Sequence, residues 1–288
     1  MTGGSLLSQT KHLLRQYDLR ARKRLGQRFL VNGQILKVIL GAAEIAPDDI
    51  IVEVGPGLGI LTEKLAEKAG RVIAVELDDT LAQLLKERLS SLTKLTVINE
   101  DILKLDPQTL LSGAGLRAPP ATGVANRPDA LPSPVLRHFL ESSAKPERMI
   151  VMVQKEVAQA IVAEPGERSV LSVIIQFYGK PSIVSYVPAR SFCPAPEVDS
   201  AVLRIDVYPA PRAAVSDEKG FFRLVQAGFT ARRKQIANSL AQGLKLPKTE
   251  VAVLLEKADI NPQRRAETLT IEEWAKLWQA FEKARKDG

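Results

Sequence analysis

Three short stretches hold residues that could do chemistry at regular spacing. In "VEVGPGLG" (52–59), Gly55, Gly57 and Gly59 alternate. Glycine suits a turn where backbone passes close to a ligand, because a Cβ would obstruct both the turn and the approach. A dinucleotide fingerprint would need its third glycine at position 60, which is Ile60; the G-x-G-x-G spacing is more typical of S-adenosyl-L-methionine enzymes. Glu76 ends the next apolar run, placed to accept both ribose hydroxyl protons of an adenosyl group. Asp101, in "NED", is placed for the adenine amino group. Each of these alone reads equally as a turn glycine or a helix-capping acid. Together, at three successive strand ends, they point to an adenosyl cofactor. A fourth stretch, "VANRPDALPSPVL" (124–136), leaves two readings open: Asn126-Arg127-Pro128-Asp129 is either a methyl-transfer site lacking its aromatic residue or an ordinary loop.

The elements that must position these residues follow from periodicity. "NGQILKVILGAAEI" reads as a helix, "DIIVEVG" as a strand, "ILTEKLAEKAG" as a helix, "RVIAVEL" as a strand, "TLAQLLKERLSSL" as a helix and "KLTVINED" as a strand. Such alternation predicts an α/β fold, a Rossmann-like class I methyltransferase with a mostly parallel sheet covered on both faces. "ERMIVMVQ" and "SVLSVIIQFY" read as strand or mixed segments, and "AVLRIDVYP" as a last strand. "ATGVAN" is a weak strand because of Gly123. Beyond Pro211 the pattern becomes helical: "EKGFFRLVQAGFTARRKQIANSLAQGL", "KTEVAVLLEKADI" and "TIEEWAKLWQAFEKARK". The expected organisation is a basic arm (1–30), a methyltransferase domain (31–208) and a small all-helical domain (209–288), with the boundary near residues 207–214. Trp274 and Trp278, four apart on one helix face, read as core of the helical domain.

Charge adds a partner. The chain has 288 residues and a net charge of +7. Residues 1–30 hold seven Lys/Arg against one acid, residues 209–288 fifteen against ten, and the middle eighteen against twenty-two. Two basic ends around a mildly acidic body suit a polyanion gripped from both sides, because Lys and Arg gain affinity by displacing counterions from phosphates. Arg22, Lys23 and Arg24, with Arg232, Arg233 and Lys234 on consecutive helical positions, are the candidate RNA-binding residues; each can equally be solvated surface. Neither a secretory signal nor a membrane span is expected, which favours a cytoplasmic location. With Cys193 as the single cysteine and His12 and His138 as the two histidines, no metal site is expected.

Several stretches together resemble the ribosomal RNA adenine dimethyltransferase family of the kasugamycin-sensitivity type: "KRLGQRFL" (23–30), "VEVGPGLGILTEKL", "VIAVELD", "NEDIL", "VQKEVAQAIVAEPG", "RSFCPAPEVDSAVLRI" (190–205) and "FTARRKQIANSL" (229–240). The pairing of F-x-P-x-P-x-V-x-S with F-x-x-R-R-K-x-x-x-N-x-L is the specific part. The resemblance implies N6,N6-dimethylation of two adjacent adenosines near the 3' end of small-subunit rRNA. The implied partners are that rRNA and the small ribosomal subunit precursor, met by a monomer. It puts cofactor contacts on Arg28, Leu30, Gly55, Glu76, Asp101 and Asn126, beside Gly57 of the turn. Arg28 departs from the Asn or His usual there.

In that family the fourth strand ends in Asn-Leu-Pro-Tyr, and "NRPDALPSPVLRHFLE" aligns without a gap, with Arg127 for Leu and Asp129 for Tyr. The adenine N6 lone pair is delocalised into the ring, so the amine attacks a methyl poorly unless acceptors hold its N–H groups. The Asn126 side-chain oxygen and the Pro128 carbonyl would be those acceptors. Asp129 cannot stack on a flipped base as an aromatic does. Phe192 matches the family position that stacks the other face, and reads equally as a core aromatic before a proline turn. The departures leave an alternative: an rRNA-binding ribosome-assembly factor on a methyltransferase scaffold, with weak or no methyl transfer.

Overall fold

The computed structural model describes residues 5–19, 21–22, 26–113, 122–126 and 132–287. The strands are β1 (Phe29–Leu30), β2 (Ile50–Val54), β3 (Arg71–Glu76), β4 (Leu95–Asn99), β5 (Thr122–Asn126), β6 (Arg148–Gln154), β7 (Gly179–Val187), β8 (Phe192–Cys193) and β9 (Ser200–Val207). The helices are α1 (Leu6–Gln16), α2 (Gly33–Ala43), α3 (Ile60–Lys68), α4 (Asp79–Arg88), α5 (Pro107–Gly113), α6 (Pro132–Leu140), α7 (Lys155–Val162), α8 (Val170–Tyr178), α9 (Glu218–Gly228), α10 (Ile236–Leu244), α11 (Lys248–Lys257) and α12 (Ile271–Asp287). The chain divides into two compact units, one of residues 1–158 and 181–207, the other of residues 159–180 and 208–288.

The first unit is built on a sheet of order β4-β3-β2-β5-β6-β9-β7. The expected Rossmann-like arrangement is present: β2 runs parallel to both β3 and β5, β3 parallel to β4 and β5 parallel to β6, while β9 returns antiparallel to β6. The near-continuous apolar runs of β2 and β3 are explained by burial on both faces, with Ile51, Val72, Ile73 and Ala74 fully buried. β5 forms despite Gly123, because its backbone is laddered on both sides, to β2 and to β6. Helix α2 is capped by Asn32, whose side chain accepts from the N–H groups of Gln34 and Ile35. Its last carbonyls are held from the sheet. Arg148 of β6 donates to Ala43 O at 2.7 Å and Arg204 of β9 to Ala42 O at 3.1 Å, and both arginines pair with Glu44.

The helical unit corrects three expectations. "SVLSVIIQFY", read as strand or mixed, is a helix: α8 starts from a Ser169/Ser172 capping box, and Ser172 through Tyr178 are all buried. A segment apolar on every side is ambiguous by periodicity, and here burial all round produces it. Phe177 and Tyr178 pack on Phe221 and Phe222 of α9, with ring centroids 5.1–5.7 Å apart. Those contacts are why residues 159–180 group with the helical unit, unlike a single cut near 207–214. The stretch 218–244, read as helical along its length, is two helices joined by a turn. Helix α10 folds back on α9 so closely that a Cβ on Gly243 would lie 2.6 Å from Ala227 backbone, and this needs the turn at 229–235. The N-terminal arm also holds a helix, α1, with Leu13 buried against Phe29, Leu58 and Leu81. Trp274 and Trp278 are buried.

Glu53, inside β2, is the anomaly of the core. It is 1% exposed and neither carboxylate oxygen has a hydrogen-bond partner. Burial, with the Glu76 charge adding to it, pushes its pKa up to about 7; the Thr62 hydroxyl offsets part of the shift without closing a hydrogen bond. The folded protein therefore holds this proton more tightly than the unfolded chain. Stability is full below the ordinary carboxylate pKa and falls as pH rises through about 7. Glu53→Gln should remove roughly 3 kcal/mol of that fall. The check is thermal unfolding of both proteins at pH 5 and pH 8, and parallel profiles would refute it.

Candidate cofactor and base site

The strand order places the site. From β2 the chain moves to β3 and β4 on one side and to β5 and β6 on the other, so the order reverses between β2 and β5. Ligands of open α/β sheets bind at such a reversal, beyond the carboxyl ends of the strands. Gly55 follows β2, Glu76 ends β3, Asp101 follows β4 and Asn126 ends β5.

The glycine turn takes left-handed backbone that favours glycine: φ is 69° at Gly55, 60° at Gly57 and 76° at Gly59. At Gly59 packing matters as much as conformation. A Cβ there would sit 2.4 Å from Leu85 Cδ2 and 2.9 Å from Arg88 Nη2 of α4. Two side chains fix the turn from outside. The fully buried Glu76 accepts the Gly57 N–H on Oε2 at 3.0 Å and the Asp78 N–H on Oε1 at 3.0 Å. Arg88 donates to Leu58 O at 2.9 Å and pairs with Glu63 at 3.2 Å.

Asp78, 3% exposed, connects this framework to the arm. Its Oδ1 caps α4 through the N–H groups of Thr80 and Leu81, and its Oδ2 accepts from Gln27 Nε2 at 2.8 Å and pairs with Arg22 at 3.1 Å. Arg22, expected at RNA phosphate, thus has a carboxylate partner inside the protein. Asp101 keeps the capping role weighed for it, since its Oδ1 accepts the Leu103 N–H at 3.0 Å. Leu77 and Leu103, beside Glu76 and Asp101 in sequence, are large apolar side chains left 42% and 45% exposed. They offer the flat face of a purine an apolar surface.

One cavity brings together five of the expected residues: Arg28, Leu30, Gly55, Gly57 and Glu76 line it, with Leu6 of α1. Leu30 is paired in register with Phe192 through the two-stranded β1–β8 sheet. Phe192 itself is 3% exposed and packs with Leu30, Val124, Met152, Val187 and Val202, which is the core role weighed for it. The backbone of Asn126 is laddered opposite Met152. Its side chain, Pro128, Arg127 and Asp129 lie outside the described residues, as do Lys23 and Arg24. Arg232, Arg233 and Lys234 are exposed, but on the turn between α9 and α10 rather than on a helix. His138 sits on α6 with Nε2 2.8 Å from Leu105 O.

The sequence pattern of the family "Ribosomal RNA adenine dimethylase" matches residues 18–283. This chain belongs to the ribosomal RNA adenine dimethylase family. Among its relatives, "Ribosomal RNA small subunit methyltransferase A" of Dehalococcoides mccartyi (strain ATCC BAA-2266 / KCTC 15142 / 195) is 49% identical over 276 residues, covering 95% of this chain and 92% of the relative. The Enterococcus faecalis (strain ATCC 700802 / V583) protein of the same name is 40% identical over 281 residues, covering 96% and 95%. Of solved structures, the 23S rRNA methyltransferase ErmE superposes with TM-score 0.67 at 28% identity, covering 88% of this chain and 99% of that one. A dimethyladenosine transferase from Plasmodium falciparum has the same fold, with TM-score 0.73 at 24% identity, covering 88% and 98%. As a member of the adenine dimethylase family the protein is a methyltransferase, and the glycine turn fits an adenosyl group: positive φ at three glycines and a carboxylate fixed at the next strand end. Gln27, Asp78 and Arg88 were not singled out from sequence. Asp78 carried a signal as the acid before a helix; Gln27 and Arg88 act through contacts distant along the chain and carried none.

Glu76→Gln puts an amide NH2 against one of two backbone N–H donors. The expected result is a loss of about 1.5–3 kcal/mol together with faster hydrogen exchange at the Gly57 and Asp78 amides. Unchanged exchange at both would show that the carboxylate does not hold the turn.

Proposed function

We propose that the protein transfers methyl groups from S-adenosyl-L-methionine to N6 of two adjacent adenosines near the 3' end of small-subunit rRNA. The observation that carries this reading is the convergence of Gly55, Glu76, Asp101 and Asn126 at successive carboxyl strand ends around one topological reversal. Membership of the adenine dimethylase family supports the reaction, and the small-subunit names of the relatives support the substrate.

In this reading the Gly55–Gly59 turn, Arg28 and Leu30 enclose the cofactor, Glu76 accepts its ribose hydroxyls and Asp101 accepts from its adenine amine. S-adenosyl-L-methionine supplies a methyl on a sulfonium, an activated electrophile, so neither a metal nor a strong base is required. Asn126 and the Pro128 carbonyl accept the N6–H groups of the target base and turn its lone pair toward the methyl. The product amine loses its proton to water. Phosphate contacts from Arg232, Arg233 and Lys234, with Lys23 and Arg24 of the arm, position the RNA without reading its sequence. Arg22, 56% exposed beside Asp78, joins these contacts from the arm. The protein acts as a monomer in the cytoplasm on a small-subunit precursor.

The test is transfer from labelled S-adenosyl-L-methionine to undermethylated small ribosomal subunits, with cofactor binding followed in parallel by calorimetry. Dimethylation of two adjacent adenines is expected. Cofactor binding without transfer would make the protein an rRNA-binding assembly factor. Asn126→Ala should abolish transfer while leaving cofactor affinity within about twofold, and unchanged turnover would remove Asn126 from the mechanism. Asp129→Tyr combined with Arg127→Leu should raise turnover by restoring a stacking residue.

A further inference from the structure

The sheet ends on an edge strand, β7, whose residues alternate in exposure, with Lys180, Ser182, Val184 and Tyr186 outward. Among the described residues Tyr186 is the one aromatic left exposed, at 49%. It is not idle surface. The Lys155 ammonium lies over its ring, 5.4 Å from the centroid, and fixes the ring by a cation–π contact.

Both residues belong to the end of the sheet that carries the site. Lys155 follows directly on β6, whose Met152 is the register partner of Asn126. Val187, next to Tyr186, is fully buried in the same cluster as Phe192 and Leu30. The exposed Arg190 stands in the short turn that leads from Tyr186 to Phe192. An exposed aromatic ring with a lysine over it and an exposed arginine four residues further along the chain matches single-stranded RNA, whose unstacked bases lie on aromatic rings while phosphates meet lysine and arginine.

We propose that Tyr186 and Lys155 form a stacking platform for a nucleotide flanking the target adenosine, holding the RNA strand as the target base is drawn into the site. Arg190 contacts the phosphate beside it. The inference rests on the rRNA reading above and adds a substrate contact on the edge strand. A ring of this kind acts on RNA affinity and leaves cofactor binding and chemistry alone.

The experiment measures methyl transfer to undermethylated small subunits by the full-length protein and its Tyr186→Ala, Tyr186→Phe and Lys155→Gln variants, with cofactor affinity by calorimetry. Tyr186→Ala should raise KM for subunits about fivefold or more, in line with the loss of one base–aromatic stack, with kcat and cofactor Kd within about twofold of wild type. Tyr186→Phe should restore KM, which a hydroxyl-dependent structural role would not allow. Lys155→Gln should lower the salt slope of subunit binding by about one. An unchanged KM for Tyr186→Ala, or a Phe variant as impaired as the Ala variant, overturns the platform while the rRNA reading stands. A wild-type protein without transfer to small subunits overturns the rRNA reading and the platform with it.

Discussion

The site depends on one buried carboxylate. Glu76 has no solvent contact, and its two oxygens take N–H groups from segments on either side of it: Gly57, in the turn after β2, and Asp78, at the start of α4. A buried acid is costly unless its lone pairs are occupied, so the end of β3 and the turn after β2 have to form together. Asp78 then repeats the logic one step out, capping α4 with one oxygen and holding Gln27 and Arg22 with the other. Turn, helix start and arm thus form a single polar network, and Arg88 closes it from the far end of α4 through Leu58 O. Networks of this sort fix geometry because no member relaxes without leaving another unsatisfied.

Glu53 lies one strand over and behaves in the opposite way. It is as buried as Glu76 yet without hydrogen-bond partners, and its proton is correspondingly hard to remove. Two carboxyls on adjacent strands thus sit in opposite surroundings, because backbone N–H groups reach Glu76 and no donor reaches Glu53.

Much of this was legible in the sequence because it is local. The glycine spacing, the acid at each strand end and the β–α alternation are each set within a few residues, and the Gly55, Glu76 and Asp101 positions follow from them. What was not legible depends on tertiary contact. The 170–178 segment is apolar on nearly every side, so periodicity could not distinguish a strand from a buried helix. The break between α9 and α10 has no proline to announce it, being imposed by the close approach of Gly243 to Ala227. The pairing of Leu30 with Phe192, the hold of Arg88 on Leu58 and the capture of Arg22 by Asp78 join residues far apart in the chain. Charge placed Arg22 at the RNA, and geometry adds a buried partner, Asp78, to a side chain that stays 56% exposed.

The split of the helical unit into residues 159–180 and 208–288 bears on the order in which the chain is made. Helix α8 is apolar on nearly every side, and the rings that cover it, Phe221 and Phe222, are encoded after three further strands. At roughly 5–20 residues per second of synthesis, α8 leaves the ribosome seconds before its cover does. For that interval the nascent chain carries an uncovered hydrophobic helix, so release of a chain truncated after β9 would leave it uncovered for good.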